Sequence, residues 1–245
     1  MMIPLHRALL PAALLAALLA VLLAGCGRAP LPAEIEAVSM DAVQRGDEAA
    51  ERRLHAWADD GIPVAERELA LLYRVRHRED QARGLFLRAA RNGDADAAYR
   101  LGDLERERAQ DDGTNARAAQ WYRQAAQQGH ARAALALALL LKNGSGVPVD
   151  KAAAAHWLGV AARAGDAHAM FLLSNAYADG DGVAADPRRA RDLLERAADH
   201  DYPAALQQLA LVKQTGDALT PKDPAEADQL LKEAAEHRRS NARRF

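Results

Sequence analysis

Few side chains in this sequence are able to do chemistry, and their spacing decides among them. The only cysteine, Cys26, closes an apolar run from Ala8 to Ala24 that is interrupted only by Pro11 and preceded by a single positive charge, Arg7. A lone thiol has no partner for a disulfide. Histidines 55, 77, 130, 156, 168, 200 and 237 are scattered, without a His-x3-His pair or a second sulfur, so no zinc site is expected. Asp179-Gly180-Asp181-Gly182 opens like a calcium loop, but the fifth position is Val183 and the twelfth Ala190, where oxygen ligands are needed. Serines 39, 145, 174 and 240 lie outside any nucleophile elbow. The expectation is a non-enzyme with no catalytic residue, no metal, no cofactor and no small-molecule substrate.

The thiol has a different use. A basic start, an apolar middle and small residues before Cys26 form the layout of an export signal. The run is marginal for a permanent span, which takes about 20 apolar residues. Leu23-Ala24-Gly25-Cys26 resembles the bacterial lipobox. That resemblance implies cleavage before Cys26, a diacylglyceryl group on its thiol and an acyl chain on its freed amine. One acyl chain binds membranes weakly, each methylene adding about 0.8 kcal/mol, whereas three anchor firmly. Gly27 stands where an inner-membrane retention signal resembling the known rule would have Asp, which implies the periplasmic face of the outer membrane. The expected organisation is a cleaved signal over 1–25, a flexible tether over 26–40 marked by Pro30 and Pro32, a folded body over 41–238 and a basic tail over 239–245.

Removing residues 1–25, which hold one arginine and no acid, leaves 31 basic against 34 acidic side chains. Nucleic-acid binding calls for a basic excess, so none is expected. Aromatic content is 4% and alanine is abundant, which favours closely packed helices over sheet.

The elements that must position any functional residue come from a repeat. Ala89-Ala90 recurs as Ala125-Ala126, Ala161-Ala162 and Ala197-Ala198, each 36 residues on, and as Ala234-Ala235 after one more residue. Gly93, Gly129 and Gly165 follow the first three pairs at a fixed offset, and Leu85, Trp121, Trp157, Leu193 and Leu230 precede all five. Each unit reads as two helices. In 131–166 the first closes at Asn143-Gly144, where glycine can take positive φ, and Asp150 stands as the N-cap of the second. Asp186 and Thr114 hold the same place in neighbouring units, with Pro187 at the first helical position.

Leu101-Gly102, Trp121-Tyr122, Ala125-Ala126, Gly129-His130, Gly144-Ser145-Gly146-Val147 with Asp150, and Gly180-Asp181-Gly182-Val183 with Asp186 together resemble the Sel1-like repeat, a relative of the tetratricopeptide repeat. The resemblance covers about 65–238, with a shortened earlier unit suggested by Trp57-Ala58 and Gly61. It implies an all-α, right-handed solenoid of stacked helix-turn-helix units, with Trp and Tyr filling the gaps between helices. Arg108 and Gln110 replace the paired glycines in one unit and Gly216-Asp217-Ala218 in the last, so those loops depart from the pattern.

Positions alike in every unit should be core, as with Leu at 101, 137, 173 and 209. Three rows vary instead: Tyr99, Leu135, Phe171 and Gln207; Asp103, Leu139, Asn175 and Leu211; Arg106, Lys142, Ala178 and Gln214. Offsets of four and three place them on one helical face. Tyr99, Leu135, Leu139 and Phe171 are candidate apolar anchors for a partner protein there, and Arg106, Lys142 and Asn175 candidate polar ones. Leu135 and Leu139 would serve equally as core in a tight stack. The expectation is a lipid-anchored envelope scaffold that holds a protein partner. Similarity to Sel1-like lipoproteins of exopolysaccharide export implies an assembly factor as the alternative, and a surface-exposed binder of host proteins is a third. The Sel1-like proteins assigned β-lactam binding pair cysteines within each repeat, and this chain has none to pair.

Overall fold

Helix pairs repeat along the whole of the structure, a computed structural model that describes residues 29–108 and 112–242. The described residues form twelve α-helices and no strand: α1 (Pro32–Gln44), α2 (Glu48–Asp59), α3 (Pro63–Val75), α4 (Glu79–Arg91), α5 (Ala95–Glu107), α6 (Asp112–Gln127), α7 (Ala131–Asn143), α8 (Lys151–Arg163), α9 (Ala167–Asp179), α10 (Pro187–Asp199), α11 (Pro203–Thr215) and α12 (Pro224–Ala242). Odd-numbered helices are the first of each pair, even-numbered the second, and each packs on its neighbours in chain order. The result is an α-solenoid with one continuous core from Ile35 to Ala234. No pair can bury its own apolar stripe, so stacking supplies the core.

The local signals act as the sequence expects at most joints. Asp150 accepts the Ala153 N–H at 2.8 Å and Asp186 those of Arg188 and Arg189 at 3.1 Å. Gly144 and Gly180 end α7 and α9 in the left-handed region, at φ +69° and +71°. The alanine pairs from Ala89-Ala90 to Ala197-Ala198 are buried and let successive helices approach closely. Tyr122 is wholly buried, whereas Trp121 and Trp157 are only half-buried against the core.

The Asp179–Gly182 stretch is a docking loop between units. Asp181 Oδ1 lies 2.7 Å from Lys151 Nζ, at the start of the preceding unit's second helix. Gly182, at φ +76°, lies so close that an added Cβ would meet the Lys151 carbonyl oxygen at 2.1 Å. Both the acid and the glycine are thus accounted for by contact with α8.

Three expectations need correction. The tether placed over 26–40 is helical from Pro32, because the proline sits in the first helical turn, where its missing N–H costs nothing. Ile35, Val38, Ser39 and Ala42 then form a buried stripe on a helix that packs on α2 and α3. The folded body accordingly starts ahead of residue 41, with α1 and α2 as a complete helix pair. Thr114 is not an N-cap, since α6 starts at Asp112. The tail placed at 239–245 continues α12 as far as Ala242. Residues 1–28, with the expected signal and Cys26, lie outside the described residues, as do Gln110 and 243–245.

Candidate functional site

The first helices α5, α7 and α9 carry the variable rows. Tyr99, Leu135 and Phe171 are half-buried and packed against the core; Leu139 and Asn175 are also half-buried, while Arg106 and Lys142 are exposed. The anchors are therefore neither free nor fully enclosed. Each leaves an edge of apolar surface beside exposed cations.

What fixes that edge is a contact absent from the sequence reading. Tyr99 and Phe171, and Arg67 at the matching position of the first clear repeat, each lean on the residue that precedes the next first helix. Arg67 Nη1 lies 3.0 Å from Asp94 Oδ2, Tyr99 stacks on His130 with centroids 4.6 Å apart, and Phe171 lies against Tyr202 at 5.4 Å. Asn175 is held by Gln208 of the next unit, at 3.3 Å. Asp94 and His130 also cap their helices, accepting the Ala97 and Ala133 N–H groups. Side chains braced from the next unit lose little freedom when they bind, which favours affinity.

His130 is the busiest of these residues. Its Nδ1 accepts the Ala133 N–H at 3.1 Å, and its Nε2 lies 3.3 Å from Asp96 Oδ1. The neutral ring with its proton on Nε2 satisfies both contacts. The hydrogen bond from His130 holds the Asp96 carboxyl down to about 2, helped by Arg100 and Arg67 and opposed by burial. A depressed acid contributes stability above its unfolded value that is lost as pH falls through its folded one. Melting temperature should therefore drop between about pH 4 and pH 2, and Asp96→Asn should flatten that drop. At pH 7 the substitution should cost about 1 kcal/mol, since the side chain is about one-third exposed and solvent screens the pair. A pH titration of melting in both proteins checks it.

Ionic pairs at the helix interfaces also escaped the sequence reading. Glu105, 4% exposed, receives Arg83 at 2.8 Å and Arg117 at 2.9 Å. Glu66, 1% exposed, receives Arg88. Arg88 and Gln124, 36 residues apart, each donate to the carbonyl of an alanine in the preceding unit, Ala58 and Ala90. A signal for one set existed: Glu105 and Arg117, Tyr177 and Arg189, and Lys213 and Glu226 are pairs at spacings of twelve, twelve and thirteen, and each is in contact. None of these clusters places a nucleophile beside a base, and among the described residues no group of His, Cys, Asp and Glu could hold a metal.

A family model described as "Sel1 repeat" matches residues 63–94, 95–130, 131–166, 167–202 and 203–238, which are the pairs α3–α4 to α11–α12. No curated protein matches. Among solved structures, the chain is similar to c5321, a protective antigen present in uropathogenic Escherichia coli strains displaying an SLR fold, at 24% identity and a TM-score of 0.73. That match covers 84% of this chain and 46% of the antigen, so the chain spans under half its length. It is also similar to a Sel1 repeat protein from Oxalobacter formigenes, at 25% identity and a TM-score of 0.64, covering 83% of this chain and 85% of that one.

Proposed function

The chain belongs to the Sel1 repeat family, and from that premise we propose that it is a non-catalytic scaffold, lipid-anchored through Cys26 at the periplasmic face of the outer membrane, that holds a segment of an envelope protein. Sel1 repeats mediate protein–protein interaction; the anchor, the compartment and the binding face belong to the proposal. The observation that carries it is the row Tyr99, Leu135 and Phe171. These residues present half-exposed apolar edges on three successive first helices, with two rings braced by the next unit and exposed Arg106 and Lys142 alongside. Large side chains held rigid in partly desolvated positions are where binding energy concentrates. The resemblance at Leu23-Ala24-Gly25-Cys26 supports the anchor.

Crosslinking pull-down from membranes tests the face. Tyr99→Ala with Phe171→Ala, and separately Arg106→Glu with Lys142→Glu, should each reduce the captured partner at least tenfold. The charge pair is exposed and should leave melting unchanged, so its result is free of folding effects. Capture that survives both pairs would move the site off this face. Acyl labelling that persists in Cys26→Ala would remove the anchor, and protease shaving of intact cells that cuts the protein would place the body outside.

A further inference from the structure

We propose that the trough between α8 and α10 is a second binding site, for an extended acidic peptide segment that also carries apolar side chains. It is lined by the second helices, with Leu173 and Tyr177 of α9 as its floor, and encloses about 530 Å³. It shares no residue with the first-helix rows Tyr99–Gln207, Asp103–Leu211 and Arg106–Gln214.

The trough is open because α8 turns Ala152, Ala155 and Gly159 towards it. The corresponding space between α4 and α6 is closed by Glu105, bridged to Arg83 and Arg117. Gly159 is the informative residue. Its counterparts in other units are Leu87, Arg123 and Glu195, and a glycine inside a helix is destabilising relative to alanine. The fold does not need it: an added Cβ would meet only Arg163 Nη1 at 3.5 Å and Leu173 Cδ2 at 3.9 Å, both ordinary contacts. The space above Gly159 is therefore kept free for something other than the packing of this chain.

Charge and length identify the occupant. Arg163 folds over Gly159 and has no carboxylate partner among the described residues. Arg196, near the same end of the trough, has among the described residues only Asp192 of its own helix, at 3.7 Å, and Asp192 is the one acid among the lining residues. Arg163 without a carboxylate, and Arg196 held only by an acid of its own helix, at one end of an apolar floor, fit carboxylates flanked by apolar side chains. From Ala152 to Arg163 the wall runs for about 17 Å at 1.5 Å per residue, the length of about five residues of extended chain. The equivalent cleft between α2 and α4 carries Asp59 and Asp80, and its one arginine, Arg88, is taken up by Glu66, so the preference for acid belongs to the α8–α10 trough and not to the repeat in general.

The test is selection of linear seven-residue peptides on the detergent-solubilised full chain, with no partner supplied. The expected result is enrichment of sequences that combine Asp or Glu with apolar residues, whose affinity falls at least tenfold in Arg163→Glu and in Gly159→Leu. Tyr99→Ala with Phe171→Ala should bind them as wild type does, which separates this site from the first-helix face. Gly159→Ala should melt higher yet bind more weakly than wild type, since its methyl takes up part of the space kept free. Arg163 is exposed, so Arg163→Glu carries the test should Gly159→Leu fail to fold. No acidic enrichment, or enriched peptides indifferent to Arg163→Glu, or peptides lost only in the Tyr99 and Phe171 variant, would each overturn the proposal.

Discussion

Arg88→Ala should lower the unfolding free energy by about 3 kcal/mol, a loss far beyond that of an ordinary surface arginine, because Arg88 is the partner of a carboxylate that water cannot reach. Glu66 is 1% exposed and occupies a row that reads Ala98, Ala134, Met170 and Leu206 in later units. Its Oε1 accepts from Arg88 Nε at 2.8 Å, and its Oε2 has no partner among the described residues. Arg88 also donates to the Ala58 carbonyl at 2.7 Å, tying α4 to α2. Removing one partner of a buried pair costs about 3–5 kcal/mol, and the lower end applies because Arg88 is itself half-exposed. Replacing the pair by apolar side chains is often neutral or stabilising, so Glu66→Met with Arg88→Ala should recover most of the loss. Arg88→Lys should fall between, since an ammonium lacks the planar fork that serves both acceptors. Denaturant unfolding of the four proteins decides the matter. A loss under about 1 kcal/mol in Arg88→Ala would mean that Glu66 is not held as a buried charge.

Gly102→Ala should cost about 2 kcal/mol, although alanine is the better helix former. A Cβ on residue 102 would be 2.4 Å from Tyr122 Cε1 and 2.6 Å from its Cδ1. The ring cannot step aside: Tyr122 is fully buried and its hydroxyl donates to Asp103 Oδ1 at 2.7 Å. Burial and the Asp103 carboxylate together push that phenol well above its usual range. Neighbouring units solve the same contact with the opposite sizes, Ala138 with Leu158 and Ser174 with Leu194. Tyr122→Leu alone should cost about 2 kcal/mol by leaving a cavity. Combined with Gly102→Ala it should come within about 1 kcal/mol of wild type, a coupling readable in a double-mutant cycle. Additive losses would show that the glycine and the ring do not share one space.

The family and the helix pairs were legible because the pattern repeats. A 36-residue period defines two helices and their joints before any contact is known, and Asp150, Asp186 and Gly144 act as sequence-local caps should. Local chemistry misled at Pro32, which looks like a tether residue yet starts a helix. The difference is the Ile35, Val38 and Ala42 stripe, whose burial depends on α2 and α3 lying underneath. Thr114 matched an N-cap by counting, but its unit departs from the loop pattern, and α6 starts two residues earlier.

The variable rows were found by comparing units, and the structure puts their anchors at the boundary between core and surface. Their bracing was not found. Tyr99 meets His130 and Phe171 meets Tyr202 only because one unit stacks on the next, at a distance in sequence where no helical or turn periodicity operates.

By itself, then, the sequence determined the number of clear repeats, where most helices start and stop, and the lipobox-like context of Cys26, since each depends on residues a few positions apart or on repetition. Only the tertiary structure decided that Glu66 and Glu105 are buried, that Gly182 closes on Lys151, and that the α8–α10 trough is open while its counterpart is filled. Those outcomes are set by side-chain volumes and charges that meet across helices, as Glu66 and Arg88 do from 22 residues apart, and no local pattern carries that information.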